Sequence, residues 1–431
     1  MSPHYLEVDS SSVAEAVAKI HGLRGDLRSL AEYVRPVVED VRLRGDEAIL
    51  EYARRFDGVS LEKSTLRVQN SEMDAAFRRV GGQLRRALEK AEENIRALAR
   101  LQLSRLRFSR RIVSGVEIVQ RPLPLASVGC YVPGGSAAYP STALMTSIPA
   151  KVAGVERVVV CTPAGRDGRI PDPVLAALKI VGVDEVYRVG GPHAIAAMAY
   201  GTETIQAVDK IVGPGGPYVT AAKYVVSADV AVDMLAGATE LVVYAEKVDE
   251  AEDAAYEVCA QAEHSRDTVV GVVTTSREVA DEVSRYIGLL LSRVERSSIV
   301  SESWTKNGFI AICDSVSTAA RLINGVAPEH LAIVSSNPKR LASKIVNAGL
   351  ISIGRYTSPA LCDYIVGANH VLPTHGLARV RAGLGVYDFV KTVSTVRVSK
   401  GAARRLGGVA AAIARAEGLE CHAVAVERWR R

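Results

Sequence analysis

Short β-branched runs alternating with amphipathic stretches predict an α/β protein built on two parallel-rich sheets, each covered by helices on both faces. Three observations carry that expectation. From about residue 125 the apolar runs "ERVVVC", "DEVYRVG", "DKIVGPG", "TELVVYAE", "TVVGVVTT", "GFIAIC", "HLAIVSS" and "GLISIG" recur with helical stretches between them. They fall into two blocks, about 126–236 and 240–355. The chain, at 431 residues, is also too long for one hydrophobic core. Two α/β domains with a cleft between them is the simplest arrangement.

Residues 1–120 read mostly helical. "DLRSLAEYVRPVVEDVRLRGDEAILEYARRF" and "DAAFRRVGGQLRRALEKAEENIRALARL" place apolar residues at every third or fourth position. The densest basic stretch, "ARLQLSRLRFSRR" (99–111), reads as a helix with a solvated face. Between the later strands, "STALMTSIPAKVAGV", "PVLAALKIVG", "SREVADEVSRYIGLLLSRV" and "KRLASKIVNAG" read as helices. Beyond "HVLPTHG" (370–376), "YDFVKTVSTVRVS" predicts a strand and "GAARRLGGVAAAIARAEGL" a helix. That tail is too small to fold alone and must dock on something.

Composition narrows the function classes. A net charge of +5 is mild for this length and is not concentrated as in nucleic-acid binders. Six widely scattered cysteines without C-x-x-C fit reduced thiols, not a disulfide framework or a thiolate zinc site. The polar start "MSPHYLEVDSSS" does not read as a signal peptide, and no apolar run reaches the roughly 18 residues of a membrane span. A cytoplasmic protein is expected.

Polar clusters then mark candidate chemistry. In "AQAEHS" (260–265), Gln261 and His264 stand three residues apart and so share one face of a helix. Of eight histidines, five (His264, His330, His370, His375 and His422) lie in the last 170 residues, in polar surroundings: "QAEHS", "APEHL", "GANHVLPTHG" and "LECHAV". Such a group suits a metal or an acid–base site. In "VAPEHL" (326–331), Pro328 sets Glu329 and His330 at an element boundary, where a carboxylate and an imidazole can exchange protons near neutral pH. The same residues also read as a turn with a capping Glu, and spacing does not separate the two. Two glycine-rich loops, "CYVPGGSAAYPST" (130–142) and "GPGGPYVTAAK" (213–223), run into helices and could hold phosphates, yet neither matches the G-x-G-x-x-G dinucleotide fingerprint.

In order along the chain, "CYVPGGSAAYPSTALM", "VGGPHAIAAMAYGTE", "VDKIVGPGGPYVTAAK", "DMLAGATELVVYAE", "AQAEHS", "NGVAPEHL", "CDYIVGANHVLPTHG", "DFVKTVS" and "AEGLECHAVAV" together resemble the histidinol dehydrogenases. The resemblance implies oxidation of L-histidinol to L-histidine through the aldehyde, with two NAD and one zinc ion per subunit. It implies zinc ligands at Gln261, His264, Asp363 and His422, the Gln–His pair offering an oxygen and a nitrogen to one metal. It further implies His330 as the group taking the alcohol proton and Glu329 as the group activating water. Substrate contacts would be Thr239, His370 and Glu417, joined by His330 and the metal ligands Gln261, His264, Asp363 and His422. Thr239 stands where the family commonly has Ser.

Cofactor contacts carried over fall at Tyr131, His193 and Gly216, the last two replacing the usual Gln and Asn. The implied fold has two incomplete Rossmann-like domains plus small terminal pieces exchanged across a homodimer. This divides the chain into an arm (1–25), a helical part joined to the second α/β domain (26–125), a cofactor-side α/β domain (126–236), an α/β domain with the metal and catalytic residues (237–375) and a docking tail (376–431). The tail would bring His422 and Glu417 into the partner's site. Two rivals are a paralogous zinc- and NAD-dependent dehydrogenase of another small amino alcohol or polyol, and a non-catalytic nucleotide- or RNA-binding protein. Retention of His370 and Glu417 argues against the first, and of Glu329, His330 and the four metal positions against the second.

Overall fold

A computed structural model describes residues 3–25, 27–135, 137–235 and 237–430. Its strands are β1 (His4–Val8), β2 (Phe108–Val113), β3 (Val116–Pro124), β4 (Ser127–Tyr131), β5 (Arg157–Thr162), β6 (Glu185–Arg188), β7 (Lys210–Val212), β8 (Ala231–Val232), β9 (Glu240–Tyr244), β10 (Val269–Thr274), β11 (Phe309–Cys313), β12 (His330–Ile333), β13 (Leu350–Ile353) and β14 (Val390–Val398). The first α/β sheet runs β6-β5-β4-β7-β8 and the second β1-β11-β10-β9-β12-β13, every pair parallel. Apart from β1, both have the doubly wound order 3-2-1-4-5, so each reverses direction between two central strands: β4 and β7 in one, β9 and β12 in the other.

Burial on both faces explains why these strands read as continuous apolar runs. In β5, Val158 and Val160 enter one core while Val159 and Cys161 enter the other. In β9, Leu241 and Val243 alternate in the same way with Val242 and Tyr244.

The helical N-terminal part corrects one expectation. The stripe Val34, Val37, Val38 and Val41 on helix Leu27–Arg44, and Leu88, Ala91 and Ile95 on helix Gly82–Ser104, are buried against the first sheet's layers, not the second's. The arm is what joins the second domain: β1 extends its sheet beside β11, and Val13, Ala16 and Ile20 enter its core. A second correction concerns residues 99–111. The helix stops at Ser104, and from Phe108 the chain forms a strand whose six residues are all exposed. Residues 1–120 therefore hold more strand than expected.

β2, β3 and β14 form a separate antiparallel sheet. It carries the last two helices, Lys400–Ala416 and Glu420–Glu427, which pack on one another and leave Val409, Ile413, Leu419, Val424 and Trp429 exposed. No helix among the described residues is long and apolar enough to cross a membrane.

Packing between neighbouring strands of the second sheet can be checked at one position. Gly271 of β10 lies opposite Phe309 of β11, and a β-carbon there would run into the Phe309 ring. Gly271→Ala should cost about 1–3 kcal/mol by overpacking, read as a lower denaturation midpoint at unchanged m-value.

Candidate active site

The two sheets meet head to tail across the cleft. From the carboxyl ends of β4 and β7 come Pro133 and the loop Pro214–Pro217; from the amino ends of β9 and β12 come Thr239, Glu329 and His330. These residues line one cavity of about 310 Å³ together with Gln261, His264, Asp363 and His370. Seven of the metal, catalytic and substrate candidates, from four separate stretches of sequence, thus share one space.

Each has a local reason for its place. Gln261 is buried near the end of helix Ala251–Ala262, and His264 follows in a tight turn, its amide bonding to the Gln261 carbonyl at 3.2 Å. Asp363 sits on the short helix Pro359–Tyr364, opened by Ser358 as N-cap. Glu329 and His330 follow Ala327, a non-glycine residue at φ +50°, and Pro328, so β12 starts abruptly at His330. The other non-glycine residue at positive φ among those described is His375, at +55°, whose amide bonds to Glu240. Two strained positions therefore flank the same cavity.

Burial sets the electrostatics. The Glu329 carboxyl is pushed up to about 8, first by burial and then by the Glu240 and Asp363 charges, despite accepting bonds from Thr239 Oγ1 (2.5 Å) and the Glu240 amide (2.8 Å). Gln261 Nε2 donates in turn to Thr239 Oγ1 at 2.6 Å. Burial pushes His330 down to about 3, so it is a neutral imidazole, and its Nδ1 has no hydrogen-bond partner. His370 is held near 4, also by burial. Its Nδ1 lies 2.9 Å from the Asp363 carbonyl, which can only accept, so Nδ1 carries the proton and Nε2 accepts from Thr142 Oγ1 at 3.1 Å.

Asp363, like His330 through its Nδ1, is left with an unsatisfied buried atom. Burial and the Glu257 charge raise its carboxyl to about 7. Its Oδ1 is buried without a hydrogen-bond partner, with His330 Nε2 at 3.8 Å. A buried carboxylate oxygen without a partner, sharing a cavity with an amide and a second imidazole, is what a divalent cation would satisfy. The described residues of one chain hold no group of three or more His, Cys, Asp or Glu side chains placed for a metal. His422 and Glu417 are exposed on the C-terminal helices, outside the cavity lining. A mainly apolar cavity of about 560 Å³, lined by Leu84, Leu88, Ile95 and Leu144, opens beside the site and shares Tyr139, Ser141, His264 and Tyr364 with it.

On the other side of the loop Pro214–Pro217 lies a cavity of about 440 Å³ walled by Tyr33, Phe56 and Tyr218. The N-termini of helices Gly191–Tyr200 and Pro217–Val226 border it, and Arg55 lines it. Aromatic faces, helix N-termini and one cation fit a nucleotide's base and phosphates. Of the cofactor candidates, Gly216 lines both cavities. Tyr131 is buried behind, its hydroxyl accepting from the Gly191 amide at 3.1 Å. His193 is fully buried against Tyr52 and Phe56, Nε2 lying 3.6 Å from Asp57, and does not line the cavity. Sequence patterns did not single out Thr142, Phe56, or the buried Arg24–Glu240 ion pair behind Glu329, since each belongs to an ordinary helical or strand pattern.

The chain is similar to proteins of one family. A sequence profile described as histidinol dehydrogenase matches residues 23–430. A histidinol dehydrogenase of Methanopyrus kandleri is 45% identical over 94% of this chain and 95% of its own length. One of Gluconobacter oxydans is 40% identical, with 98% of each chain covered. The crystal structure of histidinol dehydrogenase from Elizabethkingia anophelis superposes with a TM-score of 0.91 at 32% identity, over 100% of this chain and 98% of that one. By these matches over nearly its whole length, the chain belongs to the histidinol dehydrogenase family and is an NAD-dependent dehydrogenase acting on a CH–OH group.

Proposed function

We propose that the chain oxidises L-histidinol to L-histidine in two hydride transfers to NAD, with one zinc ion per subunit and an active site shared across a homodimer, as a cytoplasmic step of histidine biosynthesis. The observation that carries this reading is the meeting of Gln261, His264, Glu329, His330 and Asp363, distant in sequence, in one cavity next to a nucleotide-shaped one.

In the first half-reaction the alcohol loses a hydride to NAD and a proton to His330, giving the aldehyde. Neutral His330, with a free ring nitrogen, has the form needed to receive that proton. In the second, Glu329 takes a proton from water as it adds to the aldehyde, and the hydrate loses a hydride to a second NAD, leaving the acid. A carboxyl held near neutrality suits that exchange. Gln261, His264, Asp363 and His422 of the partner subunit would hold the zinc, which would supply a Lewis acid to anchor the substrate. His370 is committed through Nδ1 to the Asp363 carbonyl, so a substrate group reaching its Nε2 competes only with Thr142. Thr239 links Gln261 to Glu329 and couples the metal side of the cavity to the proton-transfer side.

The shared site is supported by the tail. His422 and Glu417 stand exposed beside the apolar residues Val409, Ile413, Leu419 and Val424, while the apolar cavity next to His264 lacks an occupant from its own chain. Carrying the tail into a neighbour's cavity buries both apolar surfaces and brings an imidazole to Asp363 and a carboxylate to the cationic substrate.

Three outcomes test the reading. L-histidinol with excess NAD should yield two NADH per histidinol; a chelator should abolish the yield and added zinc restore it. No NADH at any cofactor concentration rejects the assignment. Glu329→Gln should lower kcat by about 10²–10⁴-fold, chiefly in the aldehyde-oxidising half. In the metal-free protein the same substitution has a signature in stability. The raised Glu329 pKa makes its contribution full below about pH 4.5 and lost as pH rises through about 8, so the Gln variant should gain on the wild type across that window in urea melts. Asp363→Asn and His422→Ala should each be inactive, yet mixed and reassociated dimers should regain roughly a quarter of wild-type activity from the one intact site per heterodimer. Failure to recover any activity counts against the shared site.

A further inference from the structure

The loop Gly213–Pro217 is the partition between the catalytic cavity and the nucleotide-shaped one. It leaves the carboxyl end of β7, next to β4, where the first sheet reverses direction and where ligands bind in doubly wound folds. Its first residue, Gly213, has φ +115°, and a β-carbon there would strike the Tyr131 carbonyl. A glycine accepts this geometry without strain, but nothing in glycine itself holds it there.

What holds it is a buried ion pair. Lys223, on the second turn of the helix that the loop opens, and Asp233, just after β8, have side chains 2% and 0% exposed and form an ion pair. Lys223 Nζ also donates to the Gly213 carbonyl at 3.0 Å, and Asp233 Oδ2 accepts from the Gly213 amide at 2.7 Å. Asp233 Oδ1 accepts the Met234 amide at 2.6 Å, which fixes the carboxylate itself. Both peptide groups of one glycine are thus claimed by the two members of one pair. Stability gives a poor reason for such a pair, because replacing both buried charges with apolar residues often leaves stability unchanged or improved.

We infer that Lys223 and Asp233 are positioning residues for the cofactor: they clamp Gly213 so that Pro214–Pro217 presents a fixed wall to NAD between its base-binding cavity and the reacting carbon. The inference rests on the reading that the cavity walled by Phe56 and Tyr218 takes NAD. Neither residue touches the reacting atoms. The clamp acts through the loop, so its loss weakens the hold on NAD, while Thr239, Gln261, His264, Glu329, His330 and Asp363, none of which the loop carries, keep their places.

The test uses the full-length protein and the variant Lys223→Met/Asp233→Leu, which removes both charges at similar volume. Calorimetric titration with NAD should show binding weakened about tenfold or more, with KM for NAD rising in step. KM for L-histidinol, zinc content and the thermal midpoint should stay near wild type. A well-folded double variant with unchanged NAD affinity overturns the clamp, as does an equal loss of L-histidinol affinity. Should the double variant not fold, Asp233→Asn, which keeps an acceptor for Gly213 and breaks the ion pair, takes its place with the same outcomes. Phe56→Ala separates the two layers: wild-type NAD affinity in that variant removes the reading of the aromatic-walled cavity, whereas weakened binding there with unchanged binding in the clamp variant removes the clamp alone.

Discussion

Burial of ionisable groups without their full complement of partners is the constraint around which this molecule is arranged. Glu329, His330, His370 and Asp363 are held in a cleft that shifts each toward its neutral form, and Asp363 retains a buried oxygen without a hydrogen bond. In a protein selected for stability alone such an arrangement is costly. In the proposed reaction the same arrangement would keep His330 neutral and Glu329 titrating near neutral pH, and would leave Asp363 free to meet a cation. The surrounding structure maintains it through rigid contacts: the Arg24–Glu240 pair behind Glu329, the strained backbone at Ala327 and His375, and the Thr239 hydroxyl between Gln261 and Glu329.

The two sheets share a topology but are used in opposite senses. The first offers its carboxyl edge, with glycine-rich loops and helix N-termini, in the manner of a nucleotide-binding sheet. The second turns its amino edge to the cleft and supplies Thr239, Glu329 and His330 from there. Its own carboxyl-side reversal point, between β9 and β12, is filled from within. Glu250 is fully buried there and accepts the amides of Glu246, Lys247 and Ser336 at 2.8, 3.1 and 2.6 Å. A protein carboxylate takes the amides that would otherwise face a phosphate, which leaves the first sheet as the natural host for a dinucleotide.

How far the sequence revealed this depends on the kind of signal. Strands β5 to β7 and β9 to β13 were legible because parallel strands covered by helices leave unbroken β-branched runs, whereas the two-residue β8 left no such run. β2 was misread as helix because an exposed ribbon has no buried face to impose a two-residue period, and its arginines suit either form. The attachment of the N-terminal helices to the first sheet was hidden, since an amphipathic stripe records that a helix is buried but not against what. The Gln261–His264 and Glu329–His330 pairs stood out because polar residues interrupt apolar patterns there. Lys223 and Asp233 did not, because a single lysine in a helix and an aspartate after a strand look solvated until the fold closes over them.

The central claim is that three donors from two distant segments of one chain, Gln261 with His264 and Asp363, and a fourth from its partner close on one divalent ion. Zinc binding to the metal-free protein, measured by equilibrium dialysis with metal analysis, addresses it without reference to turnover. The account predicts one ion per subunit in the wild type and in Glu329→Gln, and a loss of affinity of about 10–100-fold or more in Asp363→Ala and in His422→Ala. Undiminished zinc affinity in Asp363→Ala would contradict it.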